Sequence, residues 1–445
     1  MNCYRNMNFE QILRKLGISE LNAMQTDTID ALNHSDKDIL LLSPTGSGKT
    51  LAYLLPLAAR VDVANEEPQV IIVVPGRELA MQSAAVLESM QCGVRSVAVY
   101  GGRPTMDEHR TLREKKPHII FGTPGRLNDH LEKRNIPWQS VTTLVIDEFD
   151  KCLQMGFHNE MRKLTSMLAN VGRRMLVSAT EAAEIPEFVN MNRTQRISFL
   201  DEDEQIPVRI SISVVRSEQK DKLHTLDNLL RDLGTNSSIV FVNYRESVER
   251  VASFLQGHGF AVTTFHGGLE QFKRERHLYK FANASANVMV CTDLASRGLD
   301  IPDIANIIHY HLPENEDAYV HRVGRTARWD KTGQAFFILA PDEQMPTYVE
   351  AQYEDYCPEG ASKPVPRPLM STIYIGKGKK DKISKGDIVG FLCKTGEITT
   401  ADIGRIDIRE RYAYVAVART KAQTVIGRTN NEKIKGIRTR VEPVA

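Results

Sequence analysis

The chain has 445 residues, of which 42% are hydrophobic and 25% are charged, and its formal net charge is +1. This length exceeds what one hydrophobic core normally organises, so we expect two or three domains. Six scattered cysteines without a CxxC pair argue against a disulfide framework and favour a cytoplasmic protein with reduced thiols. No apolar run reaches the roughly 18 residues of a membrane span, and the N-terminus lacks the layout of a signal peptide.

The charge is distributed unevenly along the chain. From Leu369 to the C-terminus there are sixteen lysines and arginines against eight acidic residues, so the preceding residues carry a net charge of −7. A basic segment on an acidic body indicates a nucleic-acid or anionic membrane partner. Because this segment contains no amphipathic membrane helix, we expect nucleic acid and no membrane.

Short apolar, β-branched runs alternate with longer segments of helical spacing up to residue 340. The runs lie at 38–43, 70–75, 96–100, 118–122, 143–147 and 175–180, and again at 210–215, 238–243, 261–267, 287–293, 306–311 and 335–340. Such runs suit parallel strands covered by helices on both faces. The sequence therefore predicts an α/β fold with two tandem parallel-sheet domains, 1–202 and 203–345.

The character of the chain changes after Ala340. A proline-rich and acidic stretch predicts the end of a helix followed by a linker over 346–368. Strand-like runs at 371–376, 402–408, 411–418 and 436–444 then enclose two helical stretches, "KGDIVGFLCK" and "TKAQTVIGR". The order β-α-β-β-α-β predicts a small α+β domain over 369–445.

The stretch "LLLSPTGSGKTLAYLLP" predicts a strand, a glycine-rich turn and the start of a helix. Gly46 and Gly48 let the backbone turn its N–H groups around phosphates. Lys49 can reach the β- and γ-phosphates, and the Thr50 hydroxyl can bind Mg²⁺. The alternative is a glycine-rich connection with an incidental lysine.

A second apolar run, "TTLVIDEFDK", ends in three carboxylates within four positions. Like charges at the end of a buried strand cost free energy unless a cation meets them. Beside a phosphate loop, Asp147 would hold Mg²⁺ through its water shell and Glu148 would orient or deprotonate the attacking water. The alternative, an acidic helix N-terminus, accounts for Asp150 but not for all three acids.

These motifs together resemble the DEAD-box RNA helicases. "DEFD" stands where that family has Asp-Glu-Ala-Asp, and further matches follow in family order: "SPTGSGKT", "PGRELA", "GG", "TPGR", "SAT", "VFVN", "QFKR", "TDLASRGLD" and "HRVGRTAR". The match spans roughly residues 9 to 340. It implies that both α/β domains are RecA-like and that the protein is an RNA-stimulated ATPase with ATP and Mg²⁺ as cofactors.

The resemblance also implies roles for individual residues. Nucleotide binding is assigned to Gln25, which would read the adenine, to Thr45, Gly46, Ser47, Gly48, Lys49 and Thr50 of the phosphate loop, and to Asp300 on the ribose. Arg325 and Arg328 would be arginine fingers at the γ-phosphate. Coupling of hydrolysis to domain closure is assigned to Asp150, Ser178, Thr180 and His321. Closure is needed because the phosphate loop and the arginine fingers belong to different domains.

RNA contacts are implied in both RecA-like domains, and they would read the backbone without sequence preference. They are assigned to Arg77, Gly102, Thr123 and Arg126 in the first domain and to Gln271, Arg274 and Thr292 in the second. The implied activity is local strand separation by bending one RNA strand.

The C-terminal segment resembles an RNA-recognition motif, with Tyr374, Tyr412 and Tyr414 where that fold stacks bases on its sheet. Alternatively, these tyrosines face the helices or terminate the sheet. As a whole the segment resembles the RNA-binding domain of the DbpA-type branch, which recognises a hairpin of 23S-type ribosomal RNA and delivers the helicase to pre-50S particles. Basic stretches at 376–382 and 433–440 could instead hold the hairpin, and the choice between tyrosine face and basic edge stays open.

The sequence therefore predicts an ATP-dependent RNA helicase acting in assembly of the large ribosomal subunit, expected to be a monomer. Competing interpretations are a general cytosolic RNA helicase or RNA chaperone and an RNA-binding scaffold with a vestigial ATPase. The scaffold is disfavoured by the intact residues Lys49, Glu148, Arg325 and Arg328. A small-molecule P-loop kinase leaves 205–340 unexplained, and the basic C-terminal domain disfavours a DNA helicase.

Overall fold

The structure is a computed structural model that describes residues 7–44, 46–102, 104–168, 171–180, 185–200, 210–293, 304–326 and 332–444. The chain divides into two compact units, whose boundary falls between residues 200 and 210. The first unit holds one parallel sheet. The second unit holds another parallel sheet and, C-terminal to it, a small antiparallel one.

The first unit is built on a seven-stranded sheet in which all pairings are parallel. Its strands are β1 (Ile39–Leu42), β2 (Val70–Val73), β3 (Ser96–Val99), β4 (Ile119–Gly122), β5 (Thr143–Asp147), β6 (Arg173–Ser178) and β7 (Gln195–Ser198), in the order β3-β4-β2-β5-β6-β1-β7. The central strands are buried on both faces, as their apolar runs predict. The edge strand β7 is polar at three of its four positions and was not predicted.

Helices pack on both faces of this sheet and form two core clusters. They are α1 (Phe9–Leu16), α2 (Ala23–His34), α3 (Lys49–Arg60), α4 (Arg77–Met90), α5 (Thr105–Lys115), α6 (Pro124–Glu132), α7 (Phe149–Gln154) and α8 (His158–Met167). Helices α3, α4, α6 and α7 begin within seven residues of the end of a strand. Their N-termini therefore gather at the carboxyl edge of the sheet, where ligands of such folds bind.

The second unit repeats this arrangement with strands β8 (Ile210–Arg216), β9 (Ser238–Phe241), β10 (Val262–Phe265), β11 (Val288–Cys291), β12 (Asn306–His309), β13 (Gly333–Leu339) and β14 (Tyr353–Asp355). The order is β10-β11-β9-β12-β13-β8-β14, again with parallel pairings throughout. Its described helices are α9 (Leu223–Leu233), α10 (Arg245–Gly257), α11 (Gln271–Ala282) and α12 (Glu316–Val323). The predicted fold class is confirmed for both sheets.

The segment between the second parallel sheet and the C-terminal domain is not helical within its described residues. The predicted helical end is wrong, because residues 353–355 extend the sheet as β14, parallel to β8. The chain beyond β14 is fastened to α9: the Tyr356 hydroxyl donates to Asp232 at 2.6 Å, and Gly360 packs against the backbone of Asn228. The predicted linker is thus part of the second unit's surface.

The C-terminal domain has a four-stranded antiparallel sheet with helices on one face. Its strands are β15 (Met370–Ile375), β16 (Ile403–Ile408), β17 (Ala413–Ala418) and β20 (Val441–Pro443), in the order β16-β17-β15-β20, and a small hairpin pairs β18 (Lys433–Ile434) with β19 (Ile437–Arg438). Helices α13 (Lys385–Lys394) and α14 (Ala422–Thr429) cover a core that includes Ile373, Val415 and Leu392. This is the predicted small α+β domain.

Across the described ranges, no helix combines the length and apolar character needed to cross a bilayer.

Candidate nucleotide and RNA sites

The phosphate loop connects β1 to α3 and requires glycine at two positions. Gly46 and Gly48 have φ angles of 86° and 88°, in the left-handed region that favours glycine. A Cβ on Gly48 would stand 2.5 Å from Nε2 of Gln25, so a side chain would also displace that amide. Both glycines therefore fit the predicted loop.

Gln25 is 3% exposed and links α2 to the phosphate loop. Its Oε1 accepts from the backbone of Asn22 at 3.1 Å, and its Nε2 donates to the carbonyl of Gly48 at 3.3 Å. The Asn22 side chain completes a capping box and donates to the carbonyl of Ser47 at 2.9 Å. Gln25 therefore braces the loop, while adenine reading by its remaining donor stays a prediction.

Lys49 begins α3 and is turned toward the loop's own backbone. Its Nζ donates to the carbonyls of Ser43 and Pro44 at 2.6 and 2.7 Å. Burial lowers the pKa of Lys49 to about 8, although the nearby Asp147 opposes this shift. A phosphate at the loop would favour the charged form of this amine, as expected for a phosphate-binding lysine.

Asp147 ends β5 and is held by two donors. The buried hydroxyl of Tyr53 donates to its Oδ2 at 2.8 Å, and the backbone N–H of Glu148 donates to its Oδ1 at 2.9 Å. Burial, and next the charge of Glu148, raise the pKa of Asp147 to about 6. A buried carboxylate beside a second one is stabilised by a cation, and Mg²⁺ needs few protein ligands when phosphates and waters complete its shell. Asp147 therefore fits the predicted Mg²⁺ site, while the role of Thr50 stays a prediction.

Glu148 adopts a backbone conformation that is rare for a residue with a side chain. Its φ and ψ are 51° and 49°, at the turn from β5 into α7. Such conformations cost on the order of 1 kcal/mol and occur at sites where they aim a side chain. The carboxylate lies 3.2 Å from Nζ of the fully buried Lys151.

The predicted coupling residues of the first unit are connected in part as expected. The Thr180 hydroxyl donates to Asp150 at 3.1 Å. Ser178, however, donates to the carbonyl of Thr180 at 2.5 Å, so this hydroxyl bonds within its own motif. The carbonyl of Ser178 also accepts from the N–H of Ser43 at 3.1 Å, which ties this motif to the phosphate loop.

The predicted RNA contacts of the first unit follow strand ends or begin helices. Arg77 starts α4, and Thr123 is the N-cap of α6. Gly102 has a φ of 92°, and the neighbouring Gly101 is approached by the guanidinium of Arg77, 3.5 Å from where a Cβ would be. The small residues thus leave space that a larger side chain would fill.

Arg126 is engaged within the first unit. Its side chain is 12% exposed and pairs with the buried carboxylate of Glu108 at 2.9 Å. It also donates to the Thr105 hydroxyl at 2.6 Å and to the Tyr100 carbonyl at 3.3 Å. Arg126 therefore fixes the loop that carries the glycine doublet, and its direct contact with RNA stays a prediction.

In the second unit, the arginine-rich motif lies on α12 and the turn after it. Arg325 is 4% exposed and donates to the carbonyl of His321, which is equally buried, at 3.4 Å. Arg322, which lies between these two residues in the sequence, forms a bidentate ion pair with Asp293 at 2.6 and 2.7 Å. It also donates to the side chain of Asn243 at 2.9 Å. Arg322 thus joins three of the quoted motifs.

The remaining core RNA residues of the second unit lie on α11 and after β11. Gln271 begins α11 and donates to Glu275 at 3.1 Å, and the Arg274 guanidinium lies 4.8 Å from the centre of the Phe265 ring. Thr292 follows β11, and its N–H bonds the carbonyl of Phe265. All three are partly exposed.

The three tyrosines of the C-terminal domain form one cluster on the sheet face opposite the helices. The ring centres of Tyr412 and Tyr414 are 5.1 Å apart, and those of Tyr374 and Tyr412 are 5.5 Å apart. This face is covered from within the chain: the Tyr414 ring lies 5.1 Å from that of Tyr279 on α11, and Tyr414 is only 2% exposed. In this arrangement Tyr414 cannot stack on a base, whereas Tyr374 and Tyr412 remain partly exposed.

Three predicted site residues, Thr45, Asp300 and Arg328, lie outside the described residues. Conversely, the structure adds Tyr53, Glu108 and Arg322, which the sequence analysis did not assign. Tyr53 follows Lys49 by one helical turn, and this spacing is the one signal that could have placed it beside the phosphate loop.

Family comparisons match nearly the whole chain. Residues 22–188 match DEAD/DEAH box helicase, residues 221–330 match the helicase conserved C-terminal domain, and residues 372–443 match the DbpA RNA binding domain. The ATP-dependent RNA helicase DbpA of Escherichia coli (strain K12) is 31% identical over 439 residues, covering 96% of this chain and 95% of that protein. The chain therefore belongs to the DEAD-box family of ATP-dependent RNA helicases and is an RNA-stimulated ATPase.

Further relatives show how the similarity is distributed. DbpA of Bacillus subtilis (strain 168) is 30% identical and covers 96% of both chains. CshA of the same organism is 34% identical but covers 75% of this chain and 67% of its own. The predicted resemblance to the DbpA-type branch is thereby confirmed.

Solved structures support the same fold. Mss116p bound to single-stranded RNA and AMP-PNP has a TM-score of 0.70 and 26% identity, over 79% of this chain and 77% of that one. Dbp5 of S. cerevisiae bound to RNA and ADP BeF3 has a TM-score of 0.69 over 80% of this chain and 95% of its own, and its 22% identity shows the fold alone.

Proposed function

We propose that this RNA helicase locally unwinds 23S-type ribosomal RNA during assembly of the large ribosomal subunit in the cytoplasm. Its C-terminal domain would bind a ribosomal hairpin and hold the helicase core next to the duplex to be opened. The similarity to DbpA relatives over nearly the full length supports this proposal, because the similarity to CshA covers only 75% of the chain.

The basic edge of the C-terminal domain, formed by loops 376–382 and 433–440, is the observation that carries the proposal. The two loops are joined, because Nζ of Lys435 donates to the carbonyl of Lys382 and to Asp387, both at 3.0 Å. The basic residues exposed along this edge are Lys379, Lys380, Lys382, Lys433, Lys435, Arg438 and Arg440. Exposed basic side chains along one edge suit phosphate contacts with a folded RNA, and the covered Tyr414 makes this edge a better candidate than the tyrosine face.

The residue roles in the ATPase cycle are part of the proposal. Lys49 and the loop glycines would hold the phosphates, and Mg²⁺, bound through Asp147 and Thr50, would neutralise charge that develops there. Glu148 would orient the attacking water, and Arg325 with Arg328 would supply positive charge from the second unit. Because these groups belong to two units, ATP binding would draw the RecA-like domains together and bend the RNA held by both.

Crosslinking of the full chain to total cellular RNA tests the proposed target. Wild-type protein should enrich large-subunit ribosomal RNA. Substituting Lys379, Lys380 and Lys382 with glutamine should remove most of that enrichment, because three phosphate-binding charges are lost.

The control variant has three lysine-to-glutamine substitutions outside the C-terminal domain, at lysines that form ion pairs: Lys133, Lys163 and Lys220. Enrichment of messenger or transfer RNA over ribosomal RNA by the wild type would refute the ribosomal target. It would leave the helicase activity itself untouched.

A further inference from the structure

A cavity of about 340 Å³ lies between the second parallel-sheet domain and the C-terminal domain. Lys280 and Ser285, at the end of α11 and just after it, line one side, and Ser371, Thr372 and Arg419 line the other. Its edge is fixed by direct bonds between the domains, because Nδ2 of Asn283 donates to the Thr372 hydroxyl at 2.8 Å, and that hydroxyl donates to Ser285 at 2.8 Å. The cavity is therefore bordered by a hydrogen-bonded contact between the two domains.

This cavity is cationic and lacks a compensating acid. None of the described residues that line it is acidic. The Lys280 pKa is lowered by burial and also by the charges of Arg276 and Arg419, so positive groups face one another there. The Nε atom of Arg276, one helical turn before Lys280, is buried without an acceptor among the described residues.

Two other lysines of the second unit, one buried and one exposed, are each paired with an acid. Lys222, whose side chain is 4% exposed, pairs with Glu343 at 2.7 Å, and Lys363 pairs with Asp232. Lys280 is partly buried, whereas Arg419 is exposed and its Nε donates to the carbonyl of Pro368 at 2.8 Å. Positive charges that repel a partly buried amine cost free energy unless an anion joins them. The cluster of Lys280, Arg276 and Arg419 thus has the electrostatics of an anion site.

We propose that Lys280 and Arg419 form a phosphate-binding site at this domain junction, occupied by the backbone of the bound RNA, with Arg276 adding positive charge from one helical turn before Lys280. The inference rests on the RNA-binding function described above and adds a contact between core and C-terminal domain. Since liquid water occupies about 30 Å³ per molecule, the cavity has room for a phosphodiester group with some of its waters. The hydroxyls of Ser285 and Ser371 supply neutral donors beside the cations.

An RNA phosphate fits better than a free anion because of what surrounds the cavity. Helix α11 carries the predicted RNA contacts Gln271 and Arg274 at its start and Lys280 near its end, about 13 Å along the helix. On the other side, Arg419 follows β17 of the domain that matches an RNA-binding family. A strand that runs from the core to the C-terminal domain would pass the junction between these elements.

The test uses full-length Lys280→Met, which keeps the aliphatic stem and removes the charge. Binding of a 23S-type hairpin with a single-stranded extension is measured as a function of salt. We expect the slope of log affinity against log salt to become shallower by about 0.7 to 0.9 relative to wild type, as for the loss of one phosphate contact. The melting temperature of Lys280→Met should equal or exceed that of the wild type, because the substitution relieves repulsion between the positive charges.

Two further variants serve as controls. Lys280→Arg retains the charge and should retain the wild-type slope. Lys220→Met removes an exposed lysine that is paired with Asp342 at 2.8 Å, and it should also leave the slope unchanged. RNA-stimulated ATP turnover at saturating RNA should be the same in all of them.

An unchanged slope in Lys280→Met would overturn the proposal. The RNA occupant would also be refuted if inorganic phosphate raised the melting temperature of the wild type, but not of Lys280→Met, while the slope stayed the same. The ribosomal target is judged separately, by comparing the wild-type affinity for the ribosomal hairpin with that for an unrelated RNA of equal length. If the wild type binds both RNAs equally well, the ribosomal target is refuted, but the salt-dependence experiment still tests the phosphate site.

Discussion

Glu148 and Asp147 are neighbours in the chain but lie in different environments. Asp147 is held by Tyr53 and a backbone N–H, whereas Glu148 projects from a left-handed turn toward Lys151. The left-handed turn thus places the two adjacent carboxylates against different partners. At the residue scale, this separation permits one group to bind the metal and the other to act on water.

Glu148→Gln separates binding from hydrolysis. The amide has the same shape but cannot take a proton, so ATP turnover should fall by about 10²- to 10⁴-fold while ATP and RNA affinities stay within about twofold. Single-turnover phosphate release and equilibrium binding measure the two effects. Glu132→Gln, at a half-exposed position paired with Lys163, is the control. Wild-type turnover in Glu148→Gln would contradict the water-orienting role.

Tyr53→Phe removes the only described side-chain donor to Asp147, because Tyr53 is fully buried and its hydroxyl is 2.8 Å away. The freed carboxylate should bind Mg²⁺ less well, so the Mg²⁺ concentration that half-saturates nucleotide binding should rise about tenfold, equivalent to roughly 1.4 kcal/mol. Nucleotide affinity without Mg²⁺ should not change. Tyr319→Phe, another buried tyrosine, is the control, and equal Mg²⁺ dependence in wild type and Tyr53→Phe would exclude a positioning role.

At the scale of elements, residues 356–363 after β14 form a strap, a segment that packs along α9. Its closest approach is at Gly360, where a Cβ would stand 1.8 Å from the carbonyl oxygen of Asn228. That neighbour is backbone and cannot rotate away. The proline-rich and acidic composition that predicted a linker thus belongs to a segment that is packed against α9.

Gly360→Ala should force the strap from the helix and lower the free energy of unfolding by about 1 to 3 kcal/mol. Urea unfolding of the full chain, followed by the signal of the second unit, measures the loss. Gly257→Ala is the matched control, because it lies at the end of α10 with no atom within 4 Å of the added Cβ. Equal stability of the two variants would show that the strap contributes little.

Strand β12 and the residues after it carry two histidines, of which His309 is buried and His311 is partly buried. Burial and the charge of Arg322 hold the pKa of His309 well below its usual range, and burial with Lys222 lowers the pKa of His311 to about 4. His311 accepts from the N–H of Asn243 at 3.1 Å, which requires an unprotonated nitrogen. The packing of this strand therefore depends on neutral imidazoles.

This arrangement predicts how the second unit responds to acid. Unfolded histidines take up protons near pH 6.5, and folded ones do so only at lower pH. The stabilisation is therefore complete above pH 6.5 and is lost as the pH falls toward 4. Urea unfolding at pH 7.5 and pH 5.0 should show the decline, and His311→Asn should reduce it. A free energy of unfolding that is the same at both pH values would contradict the assignment.

At the scale of the whole second unit, the C-terminal domain is fixed to α11 by its aromatic face. Tyr279 packs against Tyr414, the Arg409 guanidinium lies 5.3 Å from the centre of the Tyr279 ring, and Asn283 bonds Thr372 at 2.8 Å. The helix that carries Gln271 and Arg274 is thus coupled to the RNA-binding domain. The position of the C-terminal domain relative to this helix is thereby fixed within the second unit.

Tyr414→Lys should release the domain without unfolding it, because Tyr414 lies opposite the helix-packed core. A buried lysine among aromatic rings is costly, so the released state should be favoured. Small-angle scattering should show a larger radius of gyration than in wild type or in Tyr353→Lys, a control at an exposed position. An unchanged radius of gyration would show that the contact tolerates the charge.

Much of this protein follows from the sequence because its signals are local. The apolar runs predict the central strands, since a strand buried on both faces needs consecutive apolar residues. Phosphate loop and carboxylates are likewise set by spacing along the chain: Gly46 and Gly48 permit the turn, and Asp147 and Glu148 end a strand beside it. The nucleotide chemistry and the family could be inferred before any coordinate was known.

Only the tertiary structure decides what each face and each side chain meets. Alternation places Tyr374, Tyr412 and Tyr414 on one face, but only folding brings α11 over that face and Tyr279 onto Tyr414. The same holds for Arg126 on Glu108 and for the strap on α9. These contacts join residues that are distant in the chain, and their energies depend on burial and geometry, which no local pattern encodes.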